Sequence, residues 1–313
     1  MKILITGSSG QIGTNVGLAA LARGDEVKGI DRRANTWTDA FETILLDLTA
    51  ADAGAIPMGR GFDIVLHFAA NAKVFELVEH PERAMDNIKM LFTALEFCRR
   101  HRLPLVFSSS REVYGDIHRH VTDEDAADFV VAESPYSASK IAGEALIYAY
   151  AQCYQLPFLV FRFSNVYGRY DNDLERLERV IPLFIDRIAR DQPIVVYGRE
   201  KVLDFSYVDD CVEGVIAGVD ALAEGRVTDQ TINLAYGQGN TLVDVINIVS
   251  LALGKTPNVT YEPSRVGEVT RYVADITKAR ELLGYRPKVP LSEGLIRAVA
   301  WFRHTQRPPC KSP

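Results

Sequence analysis

Cysteine is scarce in this chain: Cys98, Cys153, Cys211 and Cys310 are the only four in 313 residues. No two form a C-x-x-C pair and the six histidines are scattered, so neither a zinc site nor a disulfide framework is indicated and no metal is expected. Long apolar runs are also missing. None approaches the roughly 20 residues that cross a bilayer, which excludes a membrane partner. The N-terminus passes straight into Ile3-Leu4-Ile5 with no small-residue cleavage site, so the expected location is cytoplasmic. Charge of one sign never dominates: 35 basic residues face 41 acidic ones, with no arginine-rich stripe, and no nucleic-acid partner is expected. There is no internal repeat, and only residues 307–313 read as a loose tail.

What the chain does have is a hydrophobic content of 47%, enough at this length to bury a full core. Over the first half, short β-branched runs alternate with longer helical patterns, the sequence form of parallel βαβ units. The spacing predicts strands over residues 2–6, 26–31, 43–46, 63–68, 104–108 and 157–163, and helices over 11–23, 81–102 and 135–155. Pro81 and Pro135 suit the first turn of a helix. The expected fold is α/β: a doubly wound, Rossmann-like parallel sheet over residues 1–164, rejoined by 206–234, and a smaller mixed α/β lobe over 165–313.

The first predicted strand runs into Gly7-Ser8-Ser9-Gly10-Gln11-Ile12-Gly13 and a helix begins at once. A diphosphate touching backbone N–H groups at a helix N-terminus tolerates no side chain at the approach points, and Gly7, Gly10 and Gly13 supply that clearance, with Gln11 and Ile12 between them. Asp31 ends the second strand, where its carboxylate can accept both ribose hydroxyls of a dinucleotide and repel a 2'-phosphate. This favours NAD over NADP, although Arg32 and Arg33 follow immediately and leave NADP open. Asp47 and Leu48 are placed for the adenine edge, with a solvated turn as the alternative for Asp47. Phe68, Ala69 and Ala70 offer small residues where a cofactor must pass close to backbone.

Tyr136-Ser137-Ala138-Ser139-Lys140 puts a phenol and an ammonium one helical turn apart on one face. A cation there is expected to lower the phenol's pKa, so that Tyr136 can act as a base toward a sugar hydroxyl. Ser108-Ser109-Ser110 closes the preceding strand, at the end where such sheets bind ligands. The glycine turn, these serines followed by Val113-Tyr114-Gly115, and the Tyr136/Lys140 pair together resemble the extended short-chain dehydrogenase/reductases, most of all the nucleotide-sugar 4-epimerases and dehydratases. The resemblance implies that Ser110 binds the reacting hydroxyl, Tyr136 moves its proton, and Lys140 holds the nicotinamide ribose. It also implies a nucleotide-sugar substrate, with a UDP-linked one expected.

The second half carries further likenesses. Arg162-Phe163-Ser164-Asn165-Val166-Tyr167-Gly168 is similar to the family segment whose asparagine meets the sugar diphosphate, which gives that role to Asn165. The stretch beginning at Val180 resembles the one that packs on the base, and Arg265-Val266-Gly267-Glu268 resembles an element whose arginine reaches the diphosphate. Tyr272 stands at the spacing of a residue that limits room beside the sugar C2, or is simply packed beneath the C-terminal helix. Where relatives carry R-D-F this chain has Leu203-Asp204-Phe205, so one expected arginine is missing, and Lys201 or Arg199 is the candidate substitute.

The reaction turns on Ser110-Arg111-Glu112. Epimerisation needs no further acid or base, whereas 4,6-dehydration needs an acid and a base, which the dehydratases that this segment resembles supply as adjacent Asp-Glu; here Arg111 stands in place of the acid while Glu112 matches the base. UDP-glucuronate decarboxylases also resemble this segment, and Arg111 would then pair with a uronate carboxylate. Alternatively Glu112 pairs with Arg111 and faces away from the sugar. The leading expectation is an NAD-dependent 4-epimerase of UDP-glucose/UDP-galactose or the uronates. A decarboxylase or dehydratase using Glu112 comes second, and a non-catalytic NAD-binding regulator is the alternative of another class. The resemblance further implies a homodimer, helices 81–102 and 135–155 pairing across a two-fold axis as a four-helix bundle.

Overall fold

The structure is a computed structural model that describes residues 1–50, 56, 61–114, 132–171, 173–174 and 179–305. Gly115, Cys310 and the expected 307–313 tail lie outside them. The chain runs β1 (Lys2–Thr6), α1 (Gln11–Ala22), β2 (Glu26–Asp31), β3 (Thr43–Leu45), β4 (Ile64–His67), α2 (Val74–Glu79), α3 (Glu82–His101), β5 (Leu105–Ser110), α4 (Pro135–Tyr154), β6 (Phe158–Phe163) and β7 (Asn165–Tyr167). It continues as α5 (Val180–Ala189), β8 (Ile194–Tyr197), β9 (Val202–Tyr207), α6 (Val208–Ala223), β10 (Gln230–Leu234), β11 (Gly239–Thr241), α7 (Leu242–Leu253), β12 (Val259–Glu262), β13 (Arg271–Tyr272), α8 (Thr277–Leu283) and α9 (Leu291–Thr305).

Seven strands form one parallel sheet in the order β10-β6-β5-β4-β1-β2-β3. Its strands are apolar at nearly every position because both faces are covered. Ile3 and Ile5 of β1 pack with Val16 and Ala20 of α1 and Val215 and Val219 of α6. Leu4, between them, points to the other face, where Val65, Phe107 and Val160 meet Leu91 and Leu95 of α3 and Ile147 of α4. Each such fully buried aliphatic side chain contributes on the order of 2 kcal/mol. The expected Rossmann-like sheet is therefore present, with element ends within a residue or two of those predicted.

Chain order reverses at β1: β2 and β3 lie on one side, β4, β5 and β6 on the other. Such a switch point leaves a crevice at the carboxyl ends of the strands. Beyond β6, short strands pair outside the main sheet: β9 pairs with β7, β11 and β13, and β12 pairs with β8. From β9, α6 leads back to β10, which pairs in parallel with β6 at the edge of the main sheet.

Local sequence explains how α4 begins. Ser134 caps it by accepting from the Ser137 N–H at 3.2 Å, while the Ser137 hydroxyl accepts from the Ser134 N–H at 3.0 Å, and Pro135 occupies the first turn. Pro81 sits one position earlier, as the N-cap of α3.

Candidate functional site

A cleft of about 450 Å³ opens along the switch point. At one end lies the glycine turn. Gly7 has φ +73°, its N–H donates to the Ile30 carbonyl at 2.8 Å, and a Cβ there would come within 2.6 Å of the Ala69 nitrogen. A Cβ on Gly13 would fall 2.3 Å from the Gly7 carbonyl oxygen, so this glycine lets α1 start hard against the turn. No acidic residue occupies the first turn of α1, leaving its N-terminus free for a diphosphate. Gly7, Gly10, Gln11, Ile12, Gly13, Asp31, Arg32, Asp47, Leu48, Phe68, Ala69 and Ala70 all line this part of the cleft.

Asp31 is buried, and its carboxylate accepts the N–H groups of Ser9 and Arg33, both at 3.1 Å. Each oxygen keeps a lone pair for a ribose hydroxyl. Asp47 is held below the usual carboxylate range by hydrogen bonds from Thr49, with a smaller contribution from Arg32. Arg32 also reaches Asn71 at 3.4 Å.

At the other end of the wall stand Ser110, Tyr136 and Lys140. On α4, Tyr136, Lys140 and Glu144 follow at four-residue spacing and face the end of β5. The Lys140 ammonium donates to the Ser108 carbonyl at 2.7 Å and lies 5.7 Å from the centre of the Tyr136 ring. Burial pushes Lys140 down to about 7, against the pull of Glu144. The expected lowering of the Tyr136 phenol is not found: burial raises it to about 12, and the Ser110 hydrogen bond opposes this only in part. The reason is dielectric, since a fully buried phenol loses more by ionising than these neighbours return.

Glu112 is buried, and burial raises its carboxyl. One oxygen meets Arg111 at 2.9 Å, the pairing expected from the sequence, and both residues line the cleft. Asn165 and Val180 are in the wall as well, Asn165 anchored by donating to the Asp204 carbonyl at 3.0 Å.

Two expected substrate contacts are not in this wall. The Arg265 guanidinium stacks 3.9 Å from the centre of the Tyr197 ring and 4.9 Å from that of Phe75. Tyr272 is fully buried, because β13 pairs with β9 and turns the ring onto Tyr114, 5.8 Å between centres. It is not among the residues that line the cleft.

Leu203 is an interior residue of β9, Lys201 is ion-paired with Glu268, and Arg199 stacks on Tyr261. Neither cation therefore stands in the described wall in place of the missing arginine. Sequence reasoning missed Arg179, Trp37 and Tyr170. Arg179 lines the cleft and donates to the Gln11 side chain and the Val166 carbonyl while pairing with Asp171 at 3.2 Å. Tyr170 rests its ring on Trp37, 5.6 Å between centres. These residues lie in irregular stretches where periodicity gives no signal. No metal-binding cluster is found among the described residues.

A nucleotide cradle at a switch point, joined by one cleft to a buried phenol and ammonium, defines a dinucleotide-dependent enzyme that moves protons and hydride at an alcohol carbon. The chain belongs to the NAD dependent epimerase/dehydratase family, whose model matches residues 3–235. It is similar to a UDP-glucose 4-epimerase of Thermotoga maritima solved with UDP-glucose, at 28% identity and a TM-score of 0.90 over 98% of this chain and 100% of that one. A UDP-glucuronic acid 4-epimerase of Bacillus cereus, solved with UDP-glucuronic acid and NAD, matches at 27% identity and a TM-score of 0.88 over 97% and 100%. Among curated relatives, the UDP-glucose 4-epimerase of Mycolicibacterium smegmatis is 29% identical over 97% of this chain and 99% of its own length.

Proposed function

We propose that the chain is an NAD-dependent nucleotide-sugar 4-epimerase acting on UDP-hexoses or UDP-uronates. The observation that carries this is the convergence of Ser110, Tyr136 and Lys140 on one wall, in a cleft continuous with the glycine cradle. NAD, held on Gly7 to Gly13 and Asp31, supplies the hydride acceptor and donor. Ser110 orients the C4 hydroxyl, Tyr136 takes its proton as hydride leaves C4, and the 4-keto sugar turns over. As C4 is reduced on its other face, Tyr136 would give the proton back to the C4 oxygen. Lys140 holds the ribose.

Asn165 and Val180 bind the sugar diphosphate and base in this reading; Arg265 joins them only if it leaves its stack on Tyr197. The test is incubation with a panel of UDP-sugars, followed by NMR and mass spectrometry. A C4 epimer of unchanged mass is the expected product. Glu112 supports a second reading, since the residue lines the cleft; decarboxylation or dehydration would appear as loss of carbon dioxide or water.

The active form is a homodimer through α3 and α4. These helices pack together and leave Met85, Phe92, Tyr148 and Tyr154 on their outer side. Sedimentation showing only a 34.8 kDa species at micromolar concentration would exclude it. No described helix is long and apolar enough to cross a membrane. A cytoplasmic location, and no nucleic-acid partner, go with the same reading.

A further inference from the structure

Arg111 opens the short 3-10 turn Arg111–Tyr114 directly after Ser110, so its side chain enters the cleft wall next to the group that orients the reacting hydroxyl. Its Nη2 pairs with Glu112 Oε1 at 2.9 Å, both side chains being almost wholly buried. Its Nη1 is buried without a hydrogen-bond partner among the described residues, and so is the other Glu112 oxygen. The guanidinium lies 5.8 Å from the Tyr272 ring centre, so that ring braces it from behind. A guanidinium cannot shed its charge, and a buried donor left without an acceptor is costly. Such a donor in a ligand cleft calls for an acceptor that arrives with the ligand.

We infer that Arg111 recognises a carboxylate on the sugar ring, and that the preferred substrate is a nucleoside-diphosphate uronate, not the neutral hexose. The inference rests on the epimerase reading for the placement of the sugar. With the C4 hydroxyl at Ser110 and Tyr136, the ring carbon beside C4 bears C6, which is a carboxylate in a uronate and a hydroxymethyl in a hexose. A planar guanidinium fork matches a carboxylate, whereas a hydroxymethyl offers one uncharged acceptor. Arg179, also in the wall, is already engaged by Gln11, Val166 and Asp171. Lys201 is held by Glu268. Among these described cations, Arg111 is the one with a fully buried donor that has no hydrogen-bond partner among the described residues. Burial raises the Glu112 carboxyl, and the adjacent Arg111 opposes this.

The test uses full-length, NAD-loaded Tyr136→Phe protein, which separates binding from turnover, titrated calorimetrically with UDP-glucuronate, UDP-glucose and UDP. UDP-glucuronate should bind at least roughly tenfold tighter than UDP-glucose, the scale of one charge-assisted hydrogen bond. Adding Arg111→Gln should erase that preference while UDP and UDP-glucose change by less than about threefold. Arg111→Lys, which keeps the charge without the fork, should fall between, and serves if the glutamine variant fails to bind UDP. Equal affinities for the two sugars, or a preference that survives loss of the guanidinium, would overturn the inference. Wild-type protein that epimerises UDP-glucose with no such preference sinks this inference alone. Discrimination by Arg111 without epimerisation of either sugar sinks the epimerase reading instead.

Discussion

Glu144 and Arg162 form a buried ion pair behind the wall that carries Ser110, Tyr136 and Lys140: Arg162 Nη2 donates to one Glu144 oxygen at 2.7 Å and Nε to the other at 3.1 Å. Ser109 adds a short hydrogen bond to the same carboxylate, and the guanidinium lies 4.8 Å from the centre of the Tyr114 ring. Glu144 is the third member of the α4 stripe that begins with Tyr136 and Lys140. The pair therefore fixes the rotation of α4 about its axis and, with it, where the phenol points.

Removing one partner of this pair should be strongly destabilising. Glu144→Ala leaves Arg162 buried and uncompensated, at a cost of about 3–5 kcal/mol. The double replacement Glu144→Leu with Arg162→Met removes both charges and should lose less. Denaturant unfolding of the three proteins checks this; a double variant no more stable than the single one would show that packing, not charge, holds α4.

The surroundings of Tyr136 and Lys140 fix a sign for the pH profile. A phenol raised to about 12 is a base only when ionised, so activity should climb with pH toward the phenol's value in the cofactor-bound enzyme. Burial brings Lys140 down to about 7, so it is already neutral on that limb, and Lys140→Met should leave the limb where it is. Tyr136→Phe should lower kcat by about a hundredfold or more while bound NAD stays put. Steady-state profiles on the active UDP-sugar decide it: a limb moved to higher pH in Lys140→Met would mean that Lys140 is still charged there and controls the phenol's proton.

Glu96 on α3 makes a separate prediction about acid stability. It accepts from Arg99 at 2.7 and 2.8 Å and from the Tyr150 hydroxyl of α4 at 2.8 Å, and the Arg99 hydrogen bonds lead in lowering it to about 2. A depressed carboxylate stabilises the fold above its unfolded value, about 4, and loses that contribution as pH falls through about 2. Glu96→Gln should therefore be less stable than wild type at pH 7, with the gap closing on acidification. A gap independent of pH would mean that the glutamate acts only through its shape.

Most of the main sheet was legible because its signals are local. Alternating apolar runs, Gly7 through Gly13 and the i, i+4 step from Tyr136 to Lys140 all report geometry that a few neighbouring residues determine. The lobe was harder to read. Whether Tyr272 faces a ligand or the interior depends on its pairing in β13 with Leu203 of β9, a residue distant in sequence, and spacing alone does not encode that. The same holds for Arg179, which reaches Gln11 across 168 residues. The phenol's ionisation departs from expectation for a related reason: a helical step shows which charges are near, but burial, the larger effect, is a property of the whole fold.

Asp204, beside the leucine that replaces an expected arginine, gives the last test. It lies fully buried in β9 and accepts the N–H groups of Gly237 at 2.8 Å, Tyr236 at 3.1 Å and Ala274 at 3.4 Å, tying the segments after β10 and β13 to one strand. An amide matches the carboxyl group in shape but not in acceptor count: Asp204→Asn keeps one carbonyl oxygen for three donors and should cost on the order of 2 kcal/mol. Burial leads in raising the wild-type carboxyl to about 6, with the backbone donors opposing it. A carboxyl raised above its unfolded value stabilises most below about pH 4 and loses that contribution as pH rises through about 6. The advantage of wild type over Asp204→Asn should thus be larger at pH 4 than at pH 7. Unfolding in denaturant at both values measures it, and an advantage that grew with pH would mean that the three donors outweigh burial and that Asp204 is held as a carboxylate.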